Sequence, residues 1–150
     1  MAIIGYISRT EHFSAAHRLH SPHLSDAENL ETFGKCNHPG GHGHNYVLEV
    51  ILRGPIDEKN GMVANITDVK RWIKDSVLDY VDHRNLDRDI AFFATRPSTT
   101  ENLATFVWMR LCQVMPEGLL NKVIVWETPK NKVIFTGEGV TAKDIEDCTV

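Results

Sequence analysis

The segment from Cys36 to Tyr46, CNHPGGHGHNY, concentrates residue types that bind metals and transfer protons. His42 and His44 are separated by one glycine, so both imidazoles project from the same face if this segment is an extended strand. Two neutral imidazoles supply half of the ligands of a typical zinc site. The thiol of Cys36 lies just upstream, across a Pro-Gly-Gly turn that can fold it back toward the ion. The spacing therefore predicts a metal site with a thiol beside it.

A catalytic zinc ion commonly has three protein ligands and one open position. We take His17 as the third ligand, because it ends the first predicted strand and a neighbouring strand could hold it beside the pair. Four other histidines compete for this role: His12, His20, His23 and His38. Cys36 could instead complete a closed structural site. Nitrogen-rich ligation favours zinc over magnesium or calcium, which prefer oxygen.

Two further features could take part in chemistry. Asp82 precedes His83 directly, and a carboxylate beside an imidazole can fix its tautomer and raise its basicity. If His83 approaches Cys36, the thiol gains a base; otherwise the pair is a helix cap or a surface pair. Glu127 stands late in an apolar strand. Either that strand ends in water there, or the carboxylate accepts two adjacent N–H donors from a ligand.

Apolar periodicity and capping signals predict an α+β fold, in which an antiparallel sheet carries helices on one face. The predicted strands are Ile3–Phe13 (extending toward His17), Gly43–Arg53, Met62–Ile66, Val123–Thr128 and Lys132–Thr136. The predicted helices run from a capping box at Ser25–Glu28 to Gly34, from Thr67 to Val81, and from a capping box at Ser98–Glu101 to Val114. Another subunit is the simplest cover for the second sheet face. The polar tail Ala142–Val150 is expected to be loose.

The composition indicates an ordinary globular chain. Its 150 residues fit a single domain, 1–150, and the net charge of −4 gives no general attraction to nucleic acid or to an anionic membrane. No apolar run is long enough to cross a bilayer, and the first residues do not read as a signal peptide. Three irregularly spaced cysteines predict reduced thiols and a cytoplasmic location.

Six segments resemble the 6-pyruvoyltetrahydropterin synthase family, in the same order: SAAH ending at His17, ETFGKCNHPGGHGHNY, GMVANITDVK, LDYVDHRNLD, STTEN and VWET. The resemblance extends from about Phe13 to Gly137. It implies a T-fold, with an antiparallel four-stranded sheet and two helices packed on one face. Trimers of this fold join their sheets into a barrel, and two trimers stack into a homohexamer. It also implies a zinc-dependent lyase that converts 7,8-dihydroneopterin triphosphate to 6-pyruvoyltetrahydropterin, with elimination of triphosphate, in tetrahydrobiopterin biosynthesis.

The resemblance assigns roles to individual residues. The zinc ligands of the family match His17, His42 and His44. Its catalytic cysteine and the acid–base pair that serves it match Cys36, Asp82 and His83. Its pterin-binding positions match Glu127, Thr99, Thr100 and Glu101. Magnesium is implied with the triphosphate, whose binding residues the sequence does not single out. His38 and Gly40 depart from the asparagines expected at their positions, and the tail after Gly139 lies beyond the resemblance.

Three other functions compete with this interpretation. The related 6-carboxytetrahydropterin synthase shares fold, zinc and substrate, but its cysteine typically stands three residues before the HGH motif. Here five residues, Asn37–Gly41, intervene, which favours the pyruvoyl enzyme. A non-catalytic zinc-containing T-fold module could bind a pterin or purine, although every residue of the acid–base set is present. A zinc hydrolase is a weaker alternative, because the HxH motif has no accompanying HExxH helix.

Overall fold

Two long antiparallel strands form the centre of the sheet. The computed structural model describes all 150 residues, and β1 (Ile4–His17) and β2 (His42–Pro55) span 14 residues each. Their register pairs Ile4 with Pro55 at one end and His17 with His42 at the other. The alternation predicted for β2 is confirmed, because its inward-facing apolar side chains are all buried: Tyr46, Leu48, Val50 and Leu52.

Three further strands complete the sheet. Strand β4 (Leu120–Thr128) pairs antiparallel with β2, and β5 (Asn131–Phe135) pairs antiparallel with β4. Strand β3 (Arg84–Asn85) adds a two-residue parallel bridge to β1, giving the order β3-β1-β2-β4-β5. The sheet therefore has five strands instead of the four that the family resemblance implies. The difference is the short edge strand β3, whose two residues are too few to give an alternation signal.

Helices connect these strands. Their bounds are α1 Asp26–Phe33, α2 Ile66–Ile73, α3 Leu86–Asp89, α4 Thr100–Cys112 and α5 Ala142–Asp147. Helix α2 continues through a π-helical turn, Lys74–Leu78, and a final α turn, Asp79–Val81, while two 3₁₀ turns cover Gly34–Asn37 and Ala91–Ala94. None of the helices has the length and apolar composition needed to span a membrane.

The core lies between the sheet and the two long helices, which confirms the α+β arrangement. Helix α2 and its extension contribute Val69, Ile73 and Val77, all buried. Helix α4 contributes a longer apolar face, made of Leu103, Phe106, Val107 and Leu111. Arg110 of α4 also donates its Nε–H to the carbonyl of Ser76, 2.9 Å away, and so links α4 to the π-helical turn.

The strand predicted at Met62–Ile66 is wrong. The loop before it closes on itself, since Asp57 Oδ1 accepts the N–H groups of Lys59 and Asn60. Asn65 then caps α2 by accepting the N–H of Thr67, so the cap lies two residues before the one predicted at Thr67. A capping side chain there ends any extended segment.

Two predictions about helix ends also change. Helix α4 is capped by Thr99, whose hydroxyl accepts the N–H of Asn102, and the predicted capping box between Ser98 and Glu101 does not form. The tail is ordered as helix α5, which opens with a capping box of Thr141 and Asp144. The expectation of a loose tail is wrong because Cys148, just after α5, is buried in the core. The capping box at Ser25 is confirmed.

Gly137 lies against the indole ring of Trp108 and has a φ of +86°. A Cβ there would stand well inside van der Waals distance of that ring. We expect Gly137→Ala to lower the free energy of unfolding by about 2–4 kcal/mol, combining left-handed strain of ~1 kcal/mol with overpacking of ~1–3 kcal/mol. Urea unfolding followed by circular dichroism measures this loss.

Gly139 is the matched control, because its φ is +84° and a Cβ added there would meet no other atom within 4 Å. Gly139→Ala should therefore cost only the backbone strain, about 1 kcal/mol. Equal losses in the two variants would show that contact with Trp108 has no influence.

Candidate metal centre and active site

Three imidazoles and one carboxylate converge at the end of the β1–β2 ladder. The potential ligand atoms of His17, His42, His44 and Glu127 all lie within 4.8 Å of one another. The strand register explains this: His17 sits opposite His42, and His44 follows two residues later on the same face. Glu127 comes from β4, which flanks β2. The structure thus brings the three predicted histidines together, with Glu127 beside them.

His17 is oriented by the backbone. Its side chain is fully buried, and its Nδ1 lies 2.7 Å from the carbonyl oxygen of Ser98. A carbonyl only accepts, so Nδ1 carries a proton and Nε2 presents its lone pair to the group. Burial lowers the pKa of His17, although the bond to Ser98 acts in the opposite direction, and burial together with His44 lowers the pKa of His42. Both rings are neutral at pH 7, the state that binds a metal ion.

One imidazole nitrogen of the group, Nε2 of His44, has no hydrogen-bond partner. Nε2 of His17 faces Nε2 of His42 at 3.1 Å. Nε2 of His44 is buried and lies 2.9 Å from Glu127 Oε1, yet the contact is not directed as a hydrogen bond. A buried imidazole nitrogen without a hydrogen bond, clustered with two others and a carboxylate, fits a cation site. This group could therefore hold a metal ion.

Glu127 does not extend into water. Its side chain is only 26% exposed, and its Oε2 accepts a hydrogen bond of 2.9 Å from the hydroxyl of Thr100. Its Oε1 lies 3.9 Å from His17 Nε2, in addition to the shorter contact with His44. Since one carboxylate oxygen is held by Thr100, the other is available to an ion or to a ligand.

Cys36 and His83 occupy separate places within the chain. The thiol of Cys36, partly exposed in the turn Gly34–Asn37, makes no hydrogen bond and is not a member of the four-residue group. The backbone carbonyl of Cys36 accepts the N–H of Leu19. The backbone N–H of His83 donates to the carbonyl of Ser14, which lies five residues before Leu19 in the chain. His83 lines a cavity of about 430 Å³ at the ends of β1 and β2, and His44 of the metal group also lines it.

The Asp82–His83 pair itself forms as predicted. Nδ1 of His83 lies 2.9 Å from Asp82 Oδ1, which also accepts the N–H of Ser14 at 3.0 Å. His83 is 83% exposed and is the one non-glycine residue with a positive φ, +61°. The left-handed backbone at this position turns the chain from α2 toward β3. The structure thus places His83 against Asp82, and no hydrogen bond joins His83 to Cys36 within one chain.

The remaining predicted residues have different surroundings. Thr100 contacts Glu127, Thr99 caps α4, and Glu101 is exposed. The competing histidines lie outside the group: exposed His12 faces outward from β1, His20 bonds Asn37, His23 lies near the Thr95 carbonyl, and His38 accepts the N–H of Gly40. His17 is therefore the one predicted candidate that joins His42 and His44.

Sequence reasoning missed two groups around the site. The Ser98 carbonyl that orients His17 could not have been found, because every residue carries a carbonyl. The hydroxyl of Tyr46 is buried without a hydrogen-bond partner, and its ring lies 5.6 Å from that of His44. Burial, reinforced by the charge of Glu127, raises the pKa of Tyr46, so the phenol stays protonated. Its place two residues after His44 was the available signal.

Comparison with known proteins agrees with this geometry. Residues 6–138 match the family model described as 6-pyruvoyl tetrahydropterin synthase. The chain belongs to the 6-pyruvoyl tetrahydropterin synthase family. The chain is 54% identical over 136 residues to 6-pyruvoyl tetrahydrobiopterin synthase of Drosophila melanogaster, covering 89% of this chain and 80% of that protein. It is 50% identical over 132 residues to the Homo sapiens protein of that name, covering 88% and 91%.

Solved structures of the 6-pyruvoyl tetrahydropterin synthase family share the fold. The Caenorhabditis elegans protein superposes with a TM-score of 0.88 at 51% identity, covering 91% of this chain and 98% of that one. The Plasmodium falciparum protein gives a TM-score of 0.65 at 18% identity, covering 88% and 96%, which shows the common fold alone. The predicted T-fold is confirmed for the single chain, while its assembly into a barrel stays a prediction.

The convergence of the imidazoles predicts that each is needed for metal binding. His42→Ala should lower zinc affinity by more than the roughly 10–100-fold that follows loss of a supporting partner, because it removes a direct ligand. Zinc content after dialysis against a weak chelator, measured by mass spectrometry, reports this. His23→Ala, which changes a histidine outside the group, should keep wild-type zinc. Full zinc occupancy in His42→Ala would contradict the ligand assignment.

Proposed function

We propose that the chain is a zinc-dependent lyase that converts 7,8-dihydroneopterin triphosphate to 6-pyruvoyltetrahydropterin and releases triphosphate, in tetrahydrobiopterin biosynthesis. The single observation that carries this is the convergence of His17, His42, His44 and Glu127 in a chain about half identical to proteins bearing that enzyme name. The whole chain, 1–150, acts as one domain in this proposal.

The three histidines would hold zinc, and Glu127 would remain for the substrate. Neutral imidazole nitrogens suit zinc better than magnesium or calcium, and His17 is already fixed in the ligand tautomer by Ser98. When bound, zinc supplies Lewis acidity that eases deprotonation of the substrate's side-chain hydroxyls. Magnesium would accompany the triphosphate, as it does for most polyphosphate substrates.

Glu127 is proposed to hold the pterin ring. A planar carboxylate can accept two parallel N–H bonds from the guanidine-like edge of the pterin, and this double contact fixes the rotation of the ring. The hydroxyl of Thr100 holds the carboxylate at 2.9 Å, so its plane is set before the substrate arrives. Thr99 and Glu101 flank Thr100 and border the same pocket in this proposal. Fixing the ring places the reacting side-chain carbons over the imidazoles.

Cys36 is proposed to move the carbon-bound protons. As a thiolate it removes a proton from the pterin side chain, and a proton is returned to the ring. Triphosphate leaves from the end of the side chain, and tautomerisation gives the diketo product. The electrons move within the substrate, so no redox cofactor is required. Asp82 and His83 keep the thiol deprotonated, with Asp82 fixing the imidazole at 2.9 Å.

Because no hydrogen bond joins His83 to Cys36 within one chain, we propose that a second copy supplies the Asp82–His83 pair. The 83% exposure of His83 supports this, since a lone subunit gives the ring little else to contact. The outer sheet face also exposes Ile4, Tyr6 and Ile134, which another subunit would cover. We propose a homohexamer built from two trimers, located in the cytoplasm, where three cysteines outside any disulfide are stable.

The direct test is to incubate the purified zinc-loaded protein with 7,8-dihydroneopterin triphosphate and magnesium. We expect release of triphosphate and a product with a three-carbon diketo side chain, identified by mass spectrometry. Cys36→Ala should keep zinc and pterin binding but lose turnover by at least about 10²-fold, the range for a positioned acid or base. A carboxylate product would indicate 6-carboxytetrahydropterin synthase. Absence of phosphate release would leave a binding module, and normal turnover by Cys36→Ala would remove the thiol from the mechanism.

The shared-site arrangement can be tested by mixing subunits. Cys36→Ala and His83→Ala should each be inactive alone. After the two are dissociated and reassembled together, some sites combine an intact Cys36 with an intact His83 from the other variant, so activity should return. Chromatography of each variant alone checks that assembly is unchanged. No recovery in a mixed assembly would place both residues of one site in the same chain.

Glu127→Ala should weaken binding of 7,8-dihydroneopterin by about 2–3 kcal/mol, as for loss of a charged hydrogen-bonding anchor. Zinc content should remain at the wild-type value, because three imidazoles are retained. Isothermal titration calorimetry measures the first quantity and metal analysis the second. Glu117→Ala, a change in an exposed loop, is the control. Loss of zinc with unchanged pterin affinity would make Glu127 a metal ligand and not the ring anchor.

A further inference from the structure

A pocket of about 330 Å³ is lined by neighbours of the imidazole group along the chain, and Glu127 is not in its wall. Its wall contains the side chains of Arg18, His20 and Arg88, with Asp87 as its one carboxylate. We call it the cationic pocket. Pterin chemistry as proposed above leaves these residues without a role. Their concentration in one cavity indicates a ligand that carries negative charge.

The cationic pocket begins where the metal group ends. Arg18 directly follows His17, and Gly41, also in the pocket wall, directly precedes His42. The two histidines face each other in the strand register. Gly41 packs so close to this point that an added Cβ would stand 3.0 Å from the carbonyl oxygen of His17. The pocket wall is therefore continuous along the chain with the residues that carry two of the imidazoles.

Arg18 and His20 are held in place by one buried side chain, Asn37. Nε of Arg18 donates to the carbonyl of Asn37 at 2.6 Å and Nη2 donates to Asn37 Oδ1 at 3.5 Å, which leaves Nη1 for a ligand. The amide nitrogen of Asn37 lies 3.0 Å from Nδ1 of His20 and donates to it. A neutral His20 ring then carries its proton on Nε2, as a second donor. Preorganised donors lose little entropy when an anion binds.

The one carboxylate in the pocket wall, Asp87, is occupied by a backbone hydrogen bond. Oδ2 of Asp87 accepts the backbone N–H of Arg18 at 2.7 Å, so this carboxylate has a structural role at the base of the pocket. The guanidinium of Arg88 makes no hydrogen bond within the chain and is exposed. Two guanidinium groups face one carboxylate, and guanidinium groups match phosphate oxygens in shape as well as in charge.

The order of groups across the sheet matches the order of groups along the proposed substrate. Glu127 lies on β4, the imidazoles lie on β2 and at the end of β1, and Arg88 lies in α3, just after β3 at the far edge. The substrate runs from ring through a three-carbon side chain to a triphosphate. If the ring contacts Glu127 and the carbons lie at the imidazoles, the phosphates reach the cationic pocket.

We propose that the cationic pocket binds the polyphosphate end of the substrate, through Arg18, His20 and Arg88; this rests on the function proposed above. When the bond between the side-chain carbon and the phosphate oxygen breaks, the electron pair stays on that oxygen. The cationic groups of the pocket are already positioned to stabilise the negative charge that develops on this oxygen, which favours departure of the leaving group.

The probe is inorganic triphosphate, titrated calorimetrically into the zinc-loaded protein at low ionic strength with magnesium present. Wild-type protein should bind it, and Arg88→Gln should weaken that binding about tenfold or more, because one charge-assisted contact is lost. Unphosphorylated 7,8-dihydroneopterin should bind both proteins equally. Arg18→Gln should behave in the same way, with a thermal melt to verify folding. Arg71→Gln, which removes an exposed arginine from α2, is the matched control and should bind triphosphate like the wild type.

Equal triphosphate binding by wild type, Arg88→Gln and Arg18→Gln would overturn the proposal, since the phosphates would then be held elsewhere. The same holds if these variants turn over the full substrate with an unchanged KM, while the proposed function stands. If the wild type binds triphosphate through Arg88 but never releases it from the pterin substrate, the proposed function fails and the pocket remains a polyphosphate site.

Discussion

The pairing register of β1 and β2 is the constraint on which the rest of the site depends. Fourteen residue pairs join the two strands without a bulge, and the last of them sets His17 opposite His42. A slip of one residue would send both histidines of β2 to the outer face, because side chains alternate along a strand. The buried row that begins with Tyr46 opposes such a slip, since the same shift would expose it. Core packing therefore fixes the geometry of the site.

This geometry brings together groups that satisfy one another poorly. Two ring nitrogens face each other at 3.1 Å, and a third lies against Glu127 without a directed hydrogen bond. Burial lowers the pKa of His17 and of His42, which favours the neutral forms that can bind a metal ion. The fold thus maintains free lone pairs where a cation fits, and the carbonyl of Ser98 fixes which nitrogen of His17 presents one. The outer sheet face differs, because it exposes large apolar side chains such as Ile4 and Tyr6.

Local patterns in the sequence were enough to predict most of the strands and helices and the shared orientation of two of the site histidines. Strict alternation from Tyr46 to Leu52 defines β2, and the spacing of His42 and His44 places both rings on one face whatever the rest of the chain does. The helical periodicity of α2 and α4 likewise follows from residues a few positions apart. Where local signals are ambiguous, prediction fails: the pattern of Met62–Ile66 suggests a strand and that of the tail a loose segment, because neither pattern reveals which partner an element packs against.

The tertiary structure alone decided which distant groups meet. His17 joins His42 through strand pairing, and Glu127 reaches them because β4 flanks β2. The carbonyl of Ser98 has no sequence signal, and Arg88 comes next to Arg18 only through the bridge between β3 and β1. The sequence shows the hydrophobic periodicity of each strand and helix, because that periodicity depends on residues only a few positions apart. Pairing between elements depends on the packing of the whole core, and that packing is what assembles the site.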